Sequence, residues 1–101
     1  MSEPFNLKSI SIASIPRALE KAERYRLLNE PEQAESICLD ILEAESDNQR
    51  ALVTLILALT DQFGTPGAPL SGQRAGSYLA RLTDEYQRNY YGGIVGERQA
   101  W

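Results

Sequence analysis

Between Arg50 and Phe63 the chain reads Arg-Ala-Leu-Val-Thr-Leu-Ile-Leu-Ala-Leu-Thr-Asp-Gln-Phe, and its middle is apolar on nearly every side of a helix. A surface helix carries one apolar stripe, whereas a helix apolar all round must be covered on several faces. At roughly fourteen residues the stretch is too short for the ~20 that span a bilayer. It predicts the central helix of an all-α domain, with packing partners before and after it in the chain and no membrane span.

The 101 residues suffice for one domain with a modest core. A net charge of −4 argues against nucleic acid as the main ligand, because a phosphate backbone is met with a surplus of Lys and Arg. Arg17, Lys21, Arg24 and Arg26 do cluster, but Glu20 and Glu23 interleave with them, which reads as a solvated helix face. Cys38 is alone and falls in an apolar stripe, so it reads as a small buried hydrophobe. Histidine is absent, which removes the commonest general base and zinc ligand. No metal or other cofactor is expected. The opening Met-Ser-Glu-Pro-Phe-Asn-Leu-Lys lacks the charged and apolar regions of a secretory signal, so a cytoplasmic location is expected.

Residues 1–13, with Phe5, Leu7, Ile10 and Ile12 among serines, read as an N-terminal arm before a helical domain over 14–101. A first helix is predicted from Ser14–Pro16 to about Leu28, capped by Ser14, with Ala18, Leu19, Ala22, Tyr25 and Leu28 on its stripe. A second, about 31–44, has the clearest period, Ala34, Ile37, Cys38, Ile41 and Leu42 falling at i, i+3, i+4, i+7 and i+8. Acids dominate its surroundings (Glu30, Glu32, Glu35, Asp40, Glu43, Glu45, Asp47), an outer wall that serves solubility since no loop converges them on a cation. Ser46-Asp47-Asn48-Gln49 has the form of a capping box launching the central helix. After a Gly- and Pro-rich loop, Ser71 caps a fourth helix over about 73–86, with Ala75, Tyr78, Leu79, Leu82 and Tyr86 as its stripe. A shorter fifth is expected from Asn89, weakened by Gly92, Gly93 and Gly96, with Tyr90 or Tyr91, Ile94, Val95 and Arg98 sharing a face.

The first helix and the central one repeat each other. Ala18, Ala22 and Tyr25 lie thirty-four residues before Leu52, Ile56 and Leu59, all on the central helix's apolar surface. Together with Ala34, Cys38 and Ile41, Tyr25 has the order and spacing of the tetratricopeptide repeat (TPR). The segment Asn29-Glu30-Pro31-Glu32-Gln33-Ala34 resembles that family's inter-helix turn, with Asn29 where glycine is usual. Glu45-Ser46-Asp47-Asn48 is similar to its linker, with Ser46 replacing a proline. Ala18, Lys21 and Ala22 stand where the first helix of the repeat usually has tryptophan, leucine and glycine. The second unit has seven extra residues between its helices, and the third lacks its second helix. The resemblance implies a superhelix of about five helices: two pairs, over 15–48 and 49–87, and a C-terminal capping helix within 88–101.

It also implies a concave groove lined by the first helix of each pair. Carried over by position, the partner-binding residues are Leu19, Glu23, Arg26 and Leu27 from the first helix, and Arg50, Val53, Thr54, Leu57 and Asp61 from the central one. Val53 and Leu57 would form an apolar floor rimmed by Arg26, Arg50 and Asp61, suited to an amphipathic helix or extended peptide. Leu19 and Glu23 occupy the positions at which the carboxylate-clamp members carry Lys and Asn, which argues against capture of a chain's C-terminal carboxylate. The opposing reading is that the N-terminal arm or the C-terminal segment covers this strip.

No residue has the setting of a catalyst. Asn89-Tyr90-Tyr91-Gly92-Gly93 lacks the strand and the Lys-Ser/Thr ending of a phosphate loop. Asp84 and Glu85 are sequence neighbours and point to different sides of a helix. Tyr86, Tyr90, Tyr91 and Trp101 instead make an aromatic patch of interface type, with glycines allowing close helix approach. The expected function is a non-catalytic protein–protein interaction module. Self-association into a homodimer, or a regulatory part of a longer protein, is the alternative.

Overall fold

The apolar stretch forms helix α3, Gln49–Asp61, in the computed structural model, which describes residues 11–63 and 71–99. Leu52, Leu55, Ile56 and Leu59 have no solvent exposure, nor do Ala51 and Ala58. Each large aliphatic contributes about 1.5–3 kcal/mol by leaving water. Two hydroxyls are buried with them and are satisfied within the helix: Thr54 donates to the Arg50 carbonyl (2.9 Å) and Thr60 to the Leu57 carbonyl (2.8 Å). Phe63 lies past the helix end, half-buried against the core.

Around it stand α1 (Ile15–Leu27), α2 (Pro31–Ala44), α4 (Ser71–Leu79) and α5 (Glu85–Gln99), with a short 3-10 turn at Ile12–Ser14. The described residues contain no strand, and the fold is all-α. Successive helices pack on each other, and α3 also touches α1 and α5. The polar ties give the directions. Glu35 near the start of α2 meets Gln62 just beyond α3 (2.9 Å), so α2 and α3 run antiparallel. Gln49 at the start of α3 donates to the Arg81 carbonyl and accepts from the Thr83 amide (2.8 Å), just past α4, so that pair is antiparallel too. Glu35 also holds Arg74 of α4 (2.7 Å), closing the α2–α3–α4 junction.

α1 and α2 are joined by a tight reversal. Asn29 adopts φ 65°, and the Glu30 amide bonds the Tyr25 carbonyl (2.9 Å) while the Asn29 amide bonds that of Arg26 (3.0 Å). This is a Schellman ending, in which asparagine substitutes for the usual glycine because its short polar side chain tolerates the left-handed region. Pro31 then opens α2 at a position where no amide hydrogen is needed. Cys38 is fully buried in α2, and burial pushes its thiol up to about 12.

Several expectations need correction. The cap of α3 is Asn48, whose side chain accepts from the Ala51 amide (2.9 Å), and not Ser46. Gln49, freed from a capping box, reaches α4's end instead. Ser14 precedes α1 without a side-chain cap, its hydroxyl pairing with that of Ser11. Leu28 is 60% exposed, because the Schellman turn swings it off the stripe, while Ile15 takes a core place at the other end. α4 begins at Ser71 and stops at Leu79, where tertiary bonding of the Thr83 amide to Gln49 removes that donor from the helix. Leu82 is buried, but from the connection, and Tyr86 belongs to α5. α5 starts at Glu85 because the Asp84 carboxylate accepts from the Tyr86 (2.8 Å) and Gln87 amides. A Cβ added at Gly92, Gly93 or Gly96 would meet nothing within 4 Å, so these glycines do not serve close helix approach. Phe5, Leu7, Ile10, the 64–70 loop and Trp101 lie outside the described residues.

Asn48→Ala is expected to cost about 1 kcal/mol in urea denaturation, and Ser46→Ala to stay within about 0.5 kcal/mol. Gly93→Ala and Gly96→Ala are each expected to stabilise the fold by about 0.5–1 kcal/mol, since the helix gains propensity and the space is open.

Candidate functional site

The first and third helices run in the same direction, and a shallow cleft lies between them. Glu23, Arg26 and Leu27 of α1 and Val53, Thr54 and Leu57 of α3 line a volume of about 240 Å³. That is below the roughly 300–1,000 Å³ of small-molecule sites, and suits individual side chains. Val53 and Leu57 are one turn apart and half-buried. Leu27 is 83% exposed, the most open large hydrophobe among the described residues.

Two bidentate ion pairs span the cleft, with opposite polarity. Near the start of α3, Arg50 donates through Nε and Nη2 to the two carboxylate oxygens of Glu23, both at 2.8 Å. Near its end, Asp61 accepts from Arg26 Nε (2.6 Å) and Nη2 (3.2 Å). Fork-to-carboxylate geometry fixes direction as well as distance, so the pairs set the spacing between the helices. The Arg26–Asp61 pair is the more sheltered, at 25% and 19% side-chain exposure, against 54% and 40% for Arg50 and Glu23. The hydrogen bonds from Arg50 hold the Glu23 carboxyl below the usual carboxylate range.

Of the nine residues assigned to a partner surface, the cleft gathers six, and Arg50 and Asp61 close its ends. Leu19 is the exception. It is 5% exposed and packed in the core with Ile15 and Ala22, because α1 turns that side inward, so no partner reaches it. Thr54 is 4% exposed and forms part of the floor with its hydroxyl already bonded.

The aromatic set divides. Tyr86 (75% exposed) and Tyr90 (53%) stack one turn apart on the outside of α5, their ring centroids 6.2 Å apart and nearly parallel. Tyr91 turns inward, edge-on to Tyr90 and packed against the core. A third feature escaped the sequence reading. Glu35, within the acidic wall, and Gln49, within the Ser-x-x-Gln pattern, act as ties between helices, and their targets lie 27 to 39 residues away in sequence. Nothing local marks such pairs.

No His, Cys, Asp or Glu cluster able to hold a metal ion occurs among the described residues, and no helix there is long and apolar enough to cross a membrane. Comparison with family models, curated proteins and solved structures found no match.

Arg26→Ala is expected to cost about 1–2 kcal/mol in urea denaturation, the sheltered pair being worth more than an exposed one. Glu23→Arg should destabilise by less than about 1 kcal/mol, and adding Arg50→Glu should restore the loss by re-forming the pair in reverse. Because the folded carboxyl of Glu23 titrates below its unfolded value of about 4.3, its contribution is complete above that pH. It is lost as pH falls through the depressed value, so the difference between wild type and Glu23→Gln should vanish in strongly acidic melts.

Proposed function

We propose that the chain is a TPR-like helical-repeat domain, acting in the cytoplasm as a non-catalytic module that binds another polypeptide in the α1–α3 cleft. The observation that carries this reading is an apolar notch between two helices, kept open by ion pairs at both ends, with Leu27 beside it at 83% exposure. An aliphatic side chain that open gains nothing from the fold, and grooves of this form accept the apolar face of a helix or an extended segment. Repetition supports the family assignment. Gln49 and Thr83 bond across 34 residues, and Arg26 with Asp61, like Ser46 with Arg81, across 35. Equivalent points of successive helix pairs are thus neighbours, as stacking of repeats requires.

Self-association is the second reading, supported by the stacked Tyr86–Tyr90 pair on the solvent side of α5. Large aromatic side chains are enriched at interfaces. The two readings separate in sedimentation velocity. A monomer across the whole concentration range excludes the second.

Leu57→Asp should abolish partner capture while keeping its helical circular dichroism. Since Leu57 is half-buried, Leu27→Asp serves as the control whose folding cannot be in question. Proteins retained from native lysate by wild type should be lost with both variants. Retention by Leu27→Asp would exclude the cleft as the binding surface.

A further inference from the structure

We propose that the outer face of the α1–α2 hairpin docks a second copy of this chain, α1 of each copy lying antiparallel along α2 of the other. Arg17, Lys21, Arg24 and Leu28 fall at i, i+4, i+7 and i+11, within about 60° of arc on α1, and all four are exposed. The acids of the same helix do not neutralise this stripe. Glu23 is held on another side of α1 by Arg50, which leaves Glu20. The second helix carries the opposite charge. Its Glu35 is drawn inward by Arg74 and Gln62, while Glu32, Asp40 and Glu43 stand on its outer side around the exposed Ser36. None of these three cations and three acids makes an ion pair among the described residues.

Charge complementarity alone admits any acidic helix, and the register singles out a second copy. The reversal at Asn29 and Glu30 sets α1 and α2 antiparallel. Counting outward from that turn, Arg17 lies level with residue 42, Lys21 with 38 and Arg24 with 35. Glu43, Asp40 and Glu32 are therefore within about 5 Å of those heights, at 1.5 Å per residue. A two-fold axis parallel to the helices and midway between them keeps each height and exchanges α1 with α2. It brings Arg17 to Glu43, Lys21 to Asp40 and Arg24 towards Glu32 of the second copy. The same contacts recur across the axis, as an isologous interface requires. Leu28, 60% exposed at the end of the stripe, adds apolar area. Exposed ion pairs each contribute little and are screened by salt, so the dimer is weak and salt-dependent. Leu27 of the cleft lies about a quarter-turn round α1 from the stripe, and Tyr86 and Tyr90 are on α5, so this surface is tested separately from both.

The test is sedimentation velocity of the whole chain from about 10 μM to about 1 mM, at about 25 and about 500 mM NaCl, which changes the Debye length several-fold. A dimer is expected at low salt, with its dissociation constant raised at least about tenfold at high salt. One variant combines Arg17→Glu with Lys21→Glu, the other Asp40→Lys with Glu43→Lys. Each alone is expected to weaken the dimer at least about tenfold while keeping its helical circular dichroism, since like charges then face each other across the axis. An equimolar mixture of the two is expected to dimerise within about threefold of wild type, because both reversed contacts are re-formed. A wild-type monomer at every concentration in low salt overturns the inference. So does a mixture that stays monomeric, or a dimer that ignores both variants and salt but is lost with Tyr86→Ser and Tyr90→Ser; that last result assigns self-association to the aromatic pair. The cleft reading is untouched by any of these outcomes.

Discussion

Burial of α3 is the constraint that organises the rest. Leu52, Leu55, Ile56 and Leu59 share one face of α3, and the buried Ala51, Thr54, Ala58 and Thr60 extend that face to both sides, so most of the helix must be kept from water. Four helices are drawn around it, and each brings a narrower stripe than the one it covers. Ala22 of α1, Ala34 of α2 and Ala75 of α4 are all fully buried. Small residues at those places let backbones approach closely, so the large side chains that fill the interior come mainly from α3. Chain order then does the remaining work. Short connections on the α1–α2 and α2–α3 sides force reversal, and reversal puts α1 parallel to α3 with a crevice between them.

Polar ties convert this packing into a defined register. Apolar contact resists separation but tolerates sliding; a bidentate ion pair tolerates neither. Glu23–Arg50 and Arg26–Asp61 hold α1 to α3 at two heights, while Glu35 and Gln49 lock α2 and α4 to opposite ends of α3. The same pairs keep the cleft from closing, because a guanidinium and a carboxylate bridging two helices act as spacers. An open apolar notch and a stable domain thus have one cause.

Much of this was legible beforehand, for identifiable reasons. The α2 stripe follows from strict helical spacing, and four of its five residues, Ala34, Cys38, Ile41 and Leu42, are buried as expected. Val53 and Leu57 were placed together by positional analogy with the repeat, on a face of α3 that the core does not need, and they lie one turn apart in the lining of one cleft. The boundary between α4 and α5 was not readable. Leu82 has the right spacing to continue α4, and the Asp84 cap was visible as a residue type, but the termination depends on Gln49 bonding Thr83 from another helix. Leu19 failed for a related reason. Its place on a groove face came from positional analogy, and the rotation of α1 about its axis is set by which side chains the neighbours accept.

By itself, then, the sequence determined that the fold is all-α, that residues 49–61 are enclosed, and that apolar positions of α3 follow Ala18, Ala22 and Tyr25 of α1 by thirty-four residues. Those properties reside in local periodicity and in the cost of wetting aliphatic surface, both of which belong to the chain in any arrangement. Only the tertiary structure decided where α4 ends, that Leu19 is core while Leu27 is open, and that four rim charges neutralise one another in pairs. These outcomes depend on hydrogen-bond partners from distant helices meeting at about 3 Å, a distance that no spacing along one strand of text encodes.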